Sequence, residues 1–225
     1  MWRFMNVIER FSSIEGEGTR QGSLCSFLRL YDCNLRCVYC DTTYSYGDEV
    51  DYEVQSVEDV ADALRQMGNR YITITGGEPL LQADEVEQLI DVLSRETTPF
   101  GPYEFNIETN GSIIAPFQRD NVFYTYDYKC PDSSAEESMH PKLCEAMTDK
   151  DVLKFVVSSY GDLQRMKEIV LTKKPKGHIF VSPVFGKIDP QEIVAYLLKI
   201  ICSRFACNYK STNSFGIPML KASKN

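Results

Sequence analysis

An α/β fold, built as a parallel sheet or partial barrel, is predicted by three features of this 225-residue chain. Short β-branched runs alternate with stretches whose apolar residues recur at helical spacing, which is the order of strand–helix–strand units. Polar or glycine-rich segments follow the strands, where ligands bind in such folds. The length suits one domain with a sizeable core. We therefore expect a single domain over residues 1–200.

The individual elements follow from local patterns. Apolar residues at helical spacing predict a first helix over 57–67, with Ser56 as N-cap and Asp59 three residues later. The run 71–74 is β-branched and ends at a Gly-Gly pair, as strands before tight turns do. The other predicted strands are 26–30, 105–108, 153–157 and 178–181. The other predicted helices are 86–93, 163–171 and 193–200.

Composition excludes several classes of protein. Hydrophobic residues make up 43% and charged residues 25%, as in ordinary globular proteins. No apolar run approaches the roughly 18 residues that span a bilayer, and the N-terminus lacks the apolar core of a signal peptide. We expect a cytoplasmic protein with no membrane partner. The net charge of −8 argues against a broad nucleic-acid-binding surface, so no nucleic-acid partner is expected.

Cysteine clustering carries the first chemical prediction. The chain has 8 cysteines, and Cys33, Cys37 and Cys40 fall in one short loop. Three thiolates can hold a 4Fe–4S cluster and leave one iron open to the amino and carboxylate groups of a substrate. A zinc site is the alternative, but zinc prefers four ligands and the loop supplies three. The scattered Cys25, Cys130 and Cys144 are expected to be plain core or surface residues.

The cysteine loop resembles the signature of the radical S-adenosylmethionine (SAM) superfamily. Its spacing is Cys-x3-Cys-x2-Cys, with the aromatic Tyr39 before the last cysteine. The segment 75–79, Thr-Gly-Gly-Glu-Pro, is similar to the superfamily segment that holds the methionine amino group. The resemblance implies a partial, divergent (β/α) TIM-like barrel of the radical SAM type. It also implies a 4Fe–4S cluster and S-adenosyl-L-methionine as cofactors.

Further motifs resemble the 7-carboxy-7-deazaguanine synthase family of the queuosine pathway. They are 11–18 (Phe-Ser-Ser-Ile-Glu-Gly-Glu-Gly), 40–42, 108–111, 127–129, 154–158 and 182–186. The resemblance covers about residues 6–200 and implies a deazapurine or pterin substrate. It also implies a homodimer and an electron donor such as flavodoxin or ferredoxin.

The same resemblance assigns residues to ligands. Thr42 would help to hold a magnesium ion, whose preference for hard oxygen ligands suits a hydroxyl. The residues expected around S-adenosylmethionine are Tyr39, Gly76, Gly77, Glu78, Glu108, Thr109, Asn110, Lys154, Ser158, Ser182, Pro183 and Val184. The residues expected around the second substrate are Ser13, Ile14, Glu17, Arg29 and Asp132.

Two reactions within this family compete. A synthase contracts 6-carboxy-5,6,7,8-tetrahydropterin to carboxydeazaguanine, whereas a queuine lyase fragments queuine and releases the deazaguanine base. The usual synthase segment Pro-Ser-Ser-Gly reads Pro-Asp-Ser-Ser here, over 131–134. Asp132 would repel the carboxylate of the synthase substrate and attract the protonated amine of queuine. The sequence therefore favours the lyase, a carbon–nitrogen lyase. If Asp132 pointed to solvent, it would not discriminate between the two substrates.

Two other function classes share the cysteine loop. An activase that forms a glycyl radical on a partner protein would need a docking surface, and the deazapurine-family segments argue against it. A non-catalytic electron carrier would have no use for the Gly-Gly-Glu-Pro segment. The two histidines, His140 and His178, are expected to be structural or exposed rather than catalytic.

The C-terminal segment departs from the family. Members end in a segment like Gln-Leu-Gln-x-His-Lys followed by Ile-Trp-Asp, which is missing here. Plausible AT-rich codons for 207–213 and 215–222, read one nucleotide back, recover both segments, and the Ser223 codon then gives a stop. We therefore predict that 201–225 is a frameshifted tail, in which Cys202 and Cys207 have no functional role.

Overall fold

The computed structural model describes residues 3–200 and, as backbone only, residues 205–207. Nine strands of this part form one open sheet in the order β11-β10-β9-β8-β7-β4-β2-β1-β3. All neighbouring pairs from β2 to β11 are parallel, whereas β1 is antiparallel to both of its neighbours. The strands are β1 (Phe4–Ile14), β2 (Leu24–Leu30), β3 (Glu53–Ser56), β4 (Tyr71–Gly76), β5 (Thr97–Thr98), β6 (Gly101–Pro102), β7 (Glu104–Thr109), β8 (Val122–Tyr128), β9 (Val152–Val157), β10 (His178–Pro183) and β11 (Phe205–Cys207).

Helices connect the parallel strands, and the predicted α/β class is confirmed. They are α1 (Val57–Met67), α2 (Ala83–Leu93), α3 (Leu143–Ala146), α4 (Tyr160–Lys173) and α5 (Pro190–Ile200). Each helix predicted from periodicity is present, and α1 has the predicted bounds. Ser56 accepts a bond from the Asp59 amide while the Asp59 carboxylate accepts one from the Ser56 amide, so the capping box is complete. Apart from β11, the predicted frameshifted tail lies outside the described residues.

Three strands of the sheet within residues 3–200 were not predicted, and each has a reason. The strand β1 carries Glu9, Arg10 and two serines, and these polar residues mask the apolar alternation by which a strand is recognised. The strand β3 is four residues long and mostly exposed. The strand β8 is rich in tyrosine and carries Asp127. Strand residues that face a polar cavity do not show the apolar alternation on which the prediction relied.

The sheet has two chemically different faces. Residues such as Ile72, Ile74 and Phe105 are fully buried against the helices and form the apolar core. Their neighbours along the strands point to the other face, where Thr125 and Lys154 line a cavity. Because side chains alternate between the two faces of a strand, one set packs against the helices and the other set faces the cavity. Among the described residues, no helix combines the length and the apolar character that crossing a bilayer requires.

A β-bulge moves β1 from one face to the other. Val7 pairs with Leu30, but the next aligned pair is Glu9 with Arg29, so Ile8 is the extra residue. Before the bulge, the odd-numbered Met5 and Val7 are buried in the core. After it, the odd-numbered Phe11 and Ser13 line the cavity. One inserted residue therefore turns the second half of β1 toward the cavity, as a register shift of one must.

Gly76 and Gly77 allow β4 to end directly against the segment that follows β2. A Cβ on Gly76 would lie 2.3 Å from the Leu30 carbonyl oxygen, and its φ of 147° suits glycine. A Cβ on Gly77 would lie 2.0 Å from the Asp32 carbonyl oxygen and 2.7 Å from Cβ of Cys33. The contact is backbone to backbone, so no side-chain rotation could relieve it.

We expect Gly77→Ala to lower the free energy of unfolding by roughly 1–3 kcal/mol, because the Asp32 backbone must shift to admit the methyl group. Urea denaturation of the cluster-free protein under reducing, anaerobic conditions measures this change. Gly161→Ala is the matched control, since its Cβ would meet only Oγ of Ser159 at 3.4 Å. Equal stability of Gly77→Ala and the wild type would contradict the close approach.

Candidate active site

One cavity of about 1070 Å³ opens on the inner face at the carboxyl ends of the parallel strands. This is the edge at which the sequence predicted a site. The predicted residues that line it are Ser13, Glu17, Arg29, Cys33, Cys37, Tyr39, Cys40, Thr42, Gly76, Gly77, Glu108, Thr109, Asn110, Asp132, Lys154, Ser158, Ser182, Pro183 and Val184. Of the predicted site residues, Ile14 and Glu78 lie outside this lining.

The three loop cysteines surround one end of the cavity. Asp32 precedes them in a left-handed conformation (φ 77°), and its carbonyl accepts a 2.8 Å bond from the Glu78 amide. Burial raises the pKa of the Cys33 and Cys37 thiols, and each is raised further by neighbouring loop cysteines. Charge on one sulfur is thus felt by the others, which a bound cation would relieve.

The thiol arrangement fits a cluster better than a single ion. Within residues 3–200, no group of three or more His, Cys, Asp or Glu side chains converges on one metal position. Cys33, Cys37 and Cys40 instead all line the same cavity. A cubane cluster takes each thiolate on a different iron, so three separate cysteines in one cavity wall suit it. The loop can therefore hold a 4Fe–4S cluster.

Glu78 lies below the cavity, not in its wall. Its side chain is fully buried and accepts bonds from the amides of Leu80 (2.9 Å) and Asn110 (2.7 Å) and from the Thr109 hydroxyl (2.9 Å). Burial raises the pKa of Glu78, and these donors oppose that rise. Contact of Glu78 with S-adenosylmethionine, which was expected from the sequence, stays a prediction. The carboxylate fixes the end of β7.

Asn110 joins the end of β7 to the cysteine loop. Its side-chain nitrogen lies 2.9 Å from Oδ1 of Asn34 and 3.7 Å from Sγ of Cys33. Because Glu78 holds the Asn110 backbone, the Gly-Gly-Glu-Pro segment supports the loop through Asn110 as well as through its direct bond to Asp32. Hydrogen bonds of this kind around metal-binding sulfurs orient the ligands.

Four charged side chains form the opposite wall. Nζ of Lys154 lies 3.0 Å from Oε2 of Glu17 and 3.7 Å from Oδ2 of Asp127, while Nζ of Lys129 lies 2.9 Å from the same Asp127 oxygen. Burial alone would raise the pKa of Asp127, but the two lysines outweigh it and the net shift is downward. Likewise, Asp127 and Glu17 raise the pKa of Lys154 despite its burial. Asp127, Lys129 and Lys154 are therefore charged at neutral pH.

Two polar atoms in the wall have no partner among the residues that the structure describes. Oγ of Ser182 and Oδ1 of Asp127 are buried and unpaired within the described part of the chain. Buried polar atoms are nearly always hydrogen-bonded, so both are suited to meet a ligand. Tyr39 instead donates its hydroxyl to the Val156 carbonyl at 3.2 Å, which leaves its ring as wall. Thr42 places Oγ1 3.6 Å from Sγ of Cys40.

Asp132 is exposed at the rim of the cavity and already has a partner. The Ser158 hydroxyl donates to its Oδ2 at 2.6 Å. Bonds from the Ser158 and Ser159 side chains lower the pKa of Asp132. The preference for the lyase depends on Asp132 being a free charge that selects a cationic substrate. A carboxylate that is solvated and already bonded to a serine has less attraction left for an amine.

Arg29 keeps its terminal nitrogens available. Its Nε donates to Oε1 of Glu9 at 2.7 Å, whereas Nη1 and Nη2 have no partner among the described residues. The side chain is 14% exposed and lines the cavity. Beside it, the rings of Phe11 and Phe27 stack with centroids 5.2 Å apart. An arginine fork next to an aromatic wall suits a flat heterocycle that bears a carboxylate.

Ile14 projects away from the cavity and is 64% exposed, so it contributes no wall. Its neighbour Glu15, which the sequence analysis overlooked, is buried and accepts a 2.6 Å bond from the Thr73 hydroxyl. Burial and the nearby Glu108 raise the pKa of Glu15. Arg20 lies 3.7 Å from Glu15, between the rings of Tyr71 and Phe123.

Other overlooked lining residues are Phe11, Phe27, Asp127 and Lys129. Their alternation along β1, β2 and β8 was the available signal. In β1, this alternation identifies the cavity-facing residues only when the position of the bulge is known.

Comparisons with known proteins agree with this geometry. The family model described as the radical SAM superfamily matches residues 29–122, which include the cysteine loop and Gly-Gly-Glu-Pro. That superfamily's cofactors are a 4Fe–4S cluster and S-adenosylmethionine. The crystal structure of QueE from Escherichia coli superposes with a TM-score of 0.71 and 18% identity, over 91% of this chain and 93% of that chain. This likeness supports the partial barrel.

Sequence relatives define the family more narrowly. The 7-carboxy-7-deazaguanine synthase of Clostridium acetobutylicum is 39% identical over 196 residues, 85% of this chain and 86% of its own length. The enzyme of the same name from Methanospirillum hungatei is also 39% identical, over 86% of this chain and 78% of its own. Since identity of this level extends over nearly the whole of each chain, the protein belongs to the 7-carboxy-7-deazaguanine synthase family of radical SAM enzymes.

Proposed function

We propose that this chain is a 7-carboxy-7-deazaguanine synthase, which contracts the ring of 6-carboxy-5,6,7,8-tetrahydropterin. The observation that carries the proposal is the 39% identity with synthases from two organisms along most of the chain. The proposal replaces the sequence-based preference for queuine fragmentation. That preference depended on a free Asp132 charge, and the Ser158 hydroxyl occupies that carboxylate.

Arg29 supports the choice of a carboxylated substrate. Its two terminal nitrogens are unpartnered among the described residues, and Arg29 lines the cavity. Guanidinium groups bind carboxylates through paired N–H donors. Queuine carries an amine in place of this carboxylate and would leave the fork of Arg29 unpaired.

The chain's residues have distinct tasks in this proposal. Cys33, Cys37 and Cys40 would hold the cluster, and Asn110 would orient Cys33. A cluster held there would supply the electron for reductive cleavage of the sulfonium carbon–sulfur bond of S-adenosylmethionine. Asp127, Lys154 and Ser182 would position the cofactor's polar groups. The aromatic wall of Phe11 and Phe27 would keep water from the reacting carbon.

Three further parts of the proposal concern partners. Thr42 would contribute its hydroxyl oxygen to a magnesium ion beside the substrate, because hard cations prefer oxygen ligands. A flavodoxin or ferredoxin would deliver the electron. The active form would be a homodimer in the cytoplasm.

Turnover separates the two reactions. Anaerobically reconstituted protein, given dithionite and S-adenosylmethionine, is expected to convert 6-carboxytetrahydropterin to 7-carboxy-7-deazaguanine and to leave queuine intact. Liquid chromatography with mass spectrometry identifies the products. Release of a deazaguanine base from queuine, with no reaction of the carboxypterin, would favour the lyase. Asp132→Ser should change turnover of the carboxypterin less than twofold, because a charge at the solvated rim is screened.

The loop cysteines are expected to be individually essential. Alanine at Cys33, Cys37 or Cys40 should abolish the broad absorption of the reconstituted cluster near 400 nm, about the wavelength at which iron–sulfide charge transfer absorbs. It should also reduce cleavage of S-adenosylmethionine to background. Cys144→Ala is the matched control, since Cys144 lies on α3 outside the cavity. Normal iron content and turnover in any one of the three loop variants would exclude that residue as a ligand.

A further inference from the structure

We propose that Glu9 and Tyr44 are positioning residues that aim Arg29 at the carboxylate of the substrate, an inference that rests on the proposed function. Oε1 of Glu9 accepts from Nε of Arg29 at 2.7 Å and from the Tyr44 hydroxyl at 2.9 Å. The Arg29 guanidinium also lies over the Tyr44 ring, 5.7 Å from its centroid. One carboxylate oxygen thus joins the arginine to the tyrosine.

The choice of nitrogen matters. Glu9 binds Arg29 through Nε, on the side of the planar group, and leaves the two terminal N–H groups unpaired within the described residues. A guanidinium held in this way has its plane fixed while its fork stays free. Fixing a flexible side chain before the ligand arrives reduces the entropy lost on binding. Glu9 therefore orients the group that meets the substrate without touching the substrate itself.

The β-bulge creates this pairing. In an uninterrupted register, Ile8 would lie opposite Arg29, and Glu9 would point to the core face. The extra residue instead places Glu9 directly opposite Arg29 on the cavity side of the sheet. Cross-strand neighbours are close enough for their side chains to bond, so the bulge sets both partners.

Tyr44 adds a link to the cysteine loop. It lies in the short helical turn Thr43–Ser45, which follows Cys40 and Thr42 directly. The amide of Asp32 donates to the Ser45 carbonyl at 2.8 Å, so this turn also closes the loop at its start. Hydrogen bonds through Glu9 and Tyr44 therefore connect Arg29 to the segment that carries the thiols. This sets the distance between the carboxylate site and the radical source.

The test compares two ligands across variants of the reconstituted enzyme. Glu9→Gln is expected to raise KM for 6-carboxytetrahydropterin about tenfold, corresponding to about 1.4 kcal/mol. Tyr44→Phe, which keeps the ring and removes the hydroxyl bond, is expected to raise KM about threefold. In both variants kcat and the Kd of S-adenosylmethionine should change less than about twofold, an effect on substrate binding alone. Affinity for tetrahydropterin, which lacks the carboxylate, should be nearly unchanged.

Glu53→Gln is the matched control. It disrupts the ion pair between Glu53 and Arg10 (3.3 Å) at the outer edge of the sheet, away from the cavity lining. Its KM should equal that of the wild type. In an Arg29→Ala background, Glu9→Gln should have no further effect on KM, because the group it orients is gone.

The outcomes separate this inference from the proposed function. If the wild type does not turn over the carboxypterin, the proposed function fails. If the wild type is active but Glu9→Gln weakens both pterins equally, or acts fully in the Arg29→Ala background, the positioning role is wrong. If Glu9→Gln loses its fold, as judged by circular dichroism, then Tyr44→Phe decides. An unchanged KM for the carboxypterin in Tyr44→Phe would then overturn the inference.

Discussion

The period of two along the strands is the constraint on which the rest of this structure depends. Each strand gives alternate residues to the helices and to the cavity, so a single run of sequence must satisfy both. Ile72 and Ile74 pack against the helices, while Thr73 and Thr75, which alternate with them, face inward. The bulge at Ile8 preserves this separation where β1 passes from the core to the site. Without it, one strand could not serve both regions.

Such a division has an electrostatic cost, and pairing offsets it. An inner face with Asp127, Lys129, Lys154 and Glu17 would be unstable if the charges stood alone in a poorly solvated cavity. Here each lysine has an acidic neighbour within 3.7 Å, and the pKa shifts of Asp127, Lys129 and Lys154 keep these three groups ionised. Because two acidic and two basic side chains are paired, the group of four carries little net charge. Oδ1 of Asp127 and Oγ of Ser182 remain available, which lets a polar cofactor complete the network.

The sequence predicted the apolar parts of the fold well because helix periodicity and β-branched runs report burial directly. The helix Val57–Met67 and its capping box were predicted residue by residue. The strand β1 was not, because its pattern changes face at Ile8, and no local signal distinguishes a bulge from a loop. The cysteine loop was identifiable from spacing alone. The roles of Glu78 and Glu9 were not, since each acts through a neighbour that is distant in sequence or on another strand. The hydrogen bond of Asp132 could not be predicted for a similar reason, because its serine partner lies 26 positions further along the chain.

The two glycines that end β4 illustrate a different relation between motif and chemistry. Gly76 is confined by both its φ and the Leu30 carbonyl, and Gly77 by space alone. Neither requirement involves a ligand. Substitution at either position is therefore disfavoured by the chain's own backbone, so selection for stability would maintain the pair even in a descendant that had lost its catalytic activity. A search that detects Gly-Gly here detects an architecture, and inactive relatives should retain it after their cysteines have diverged.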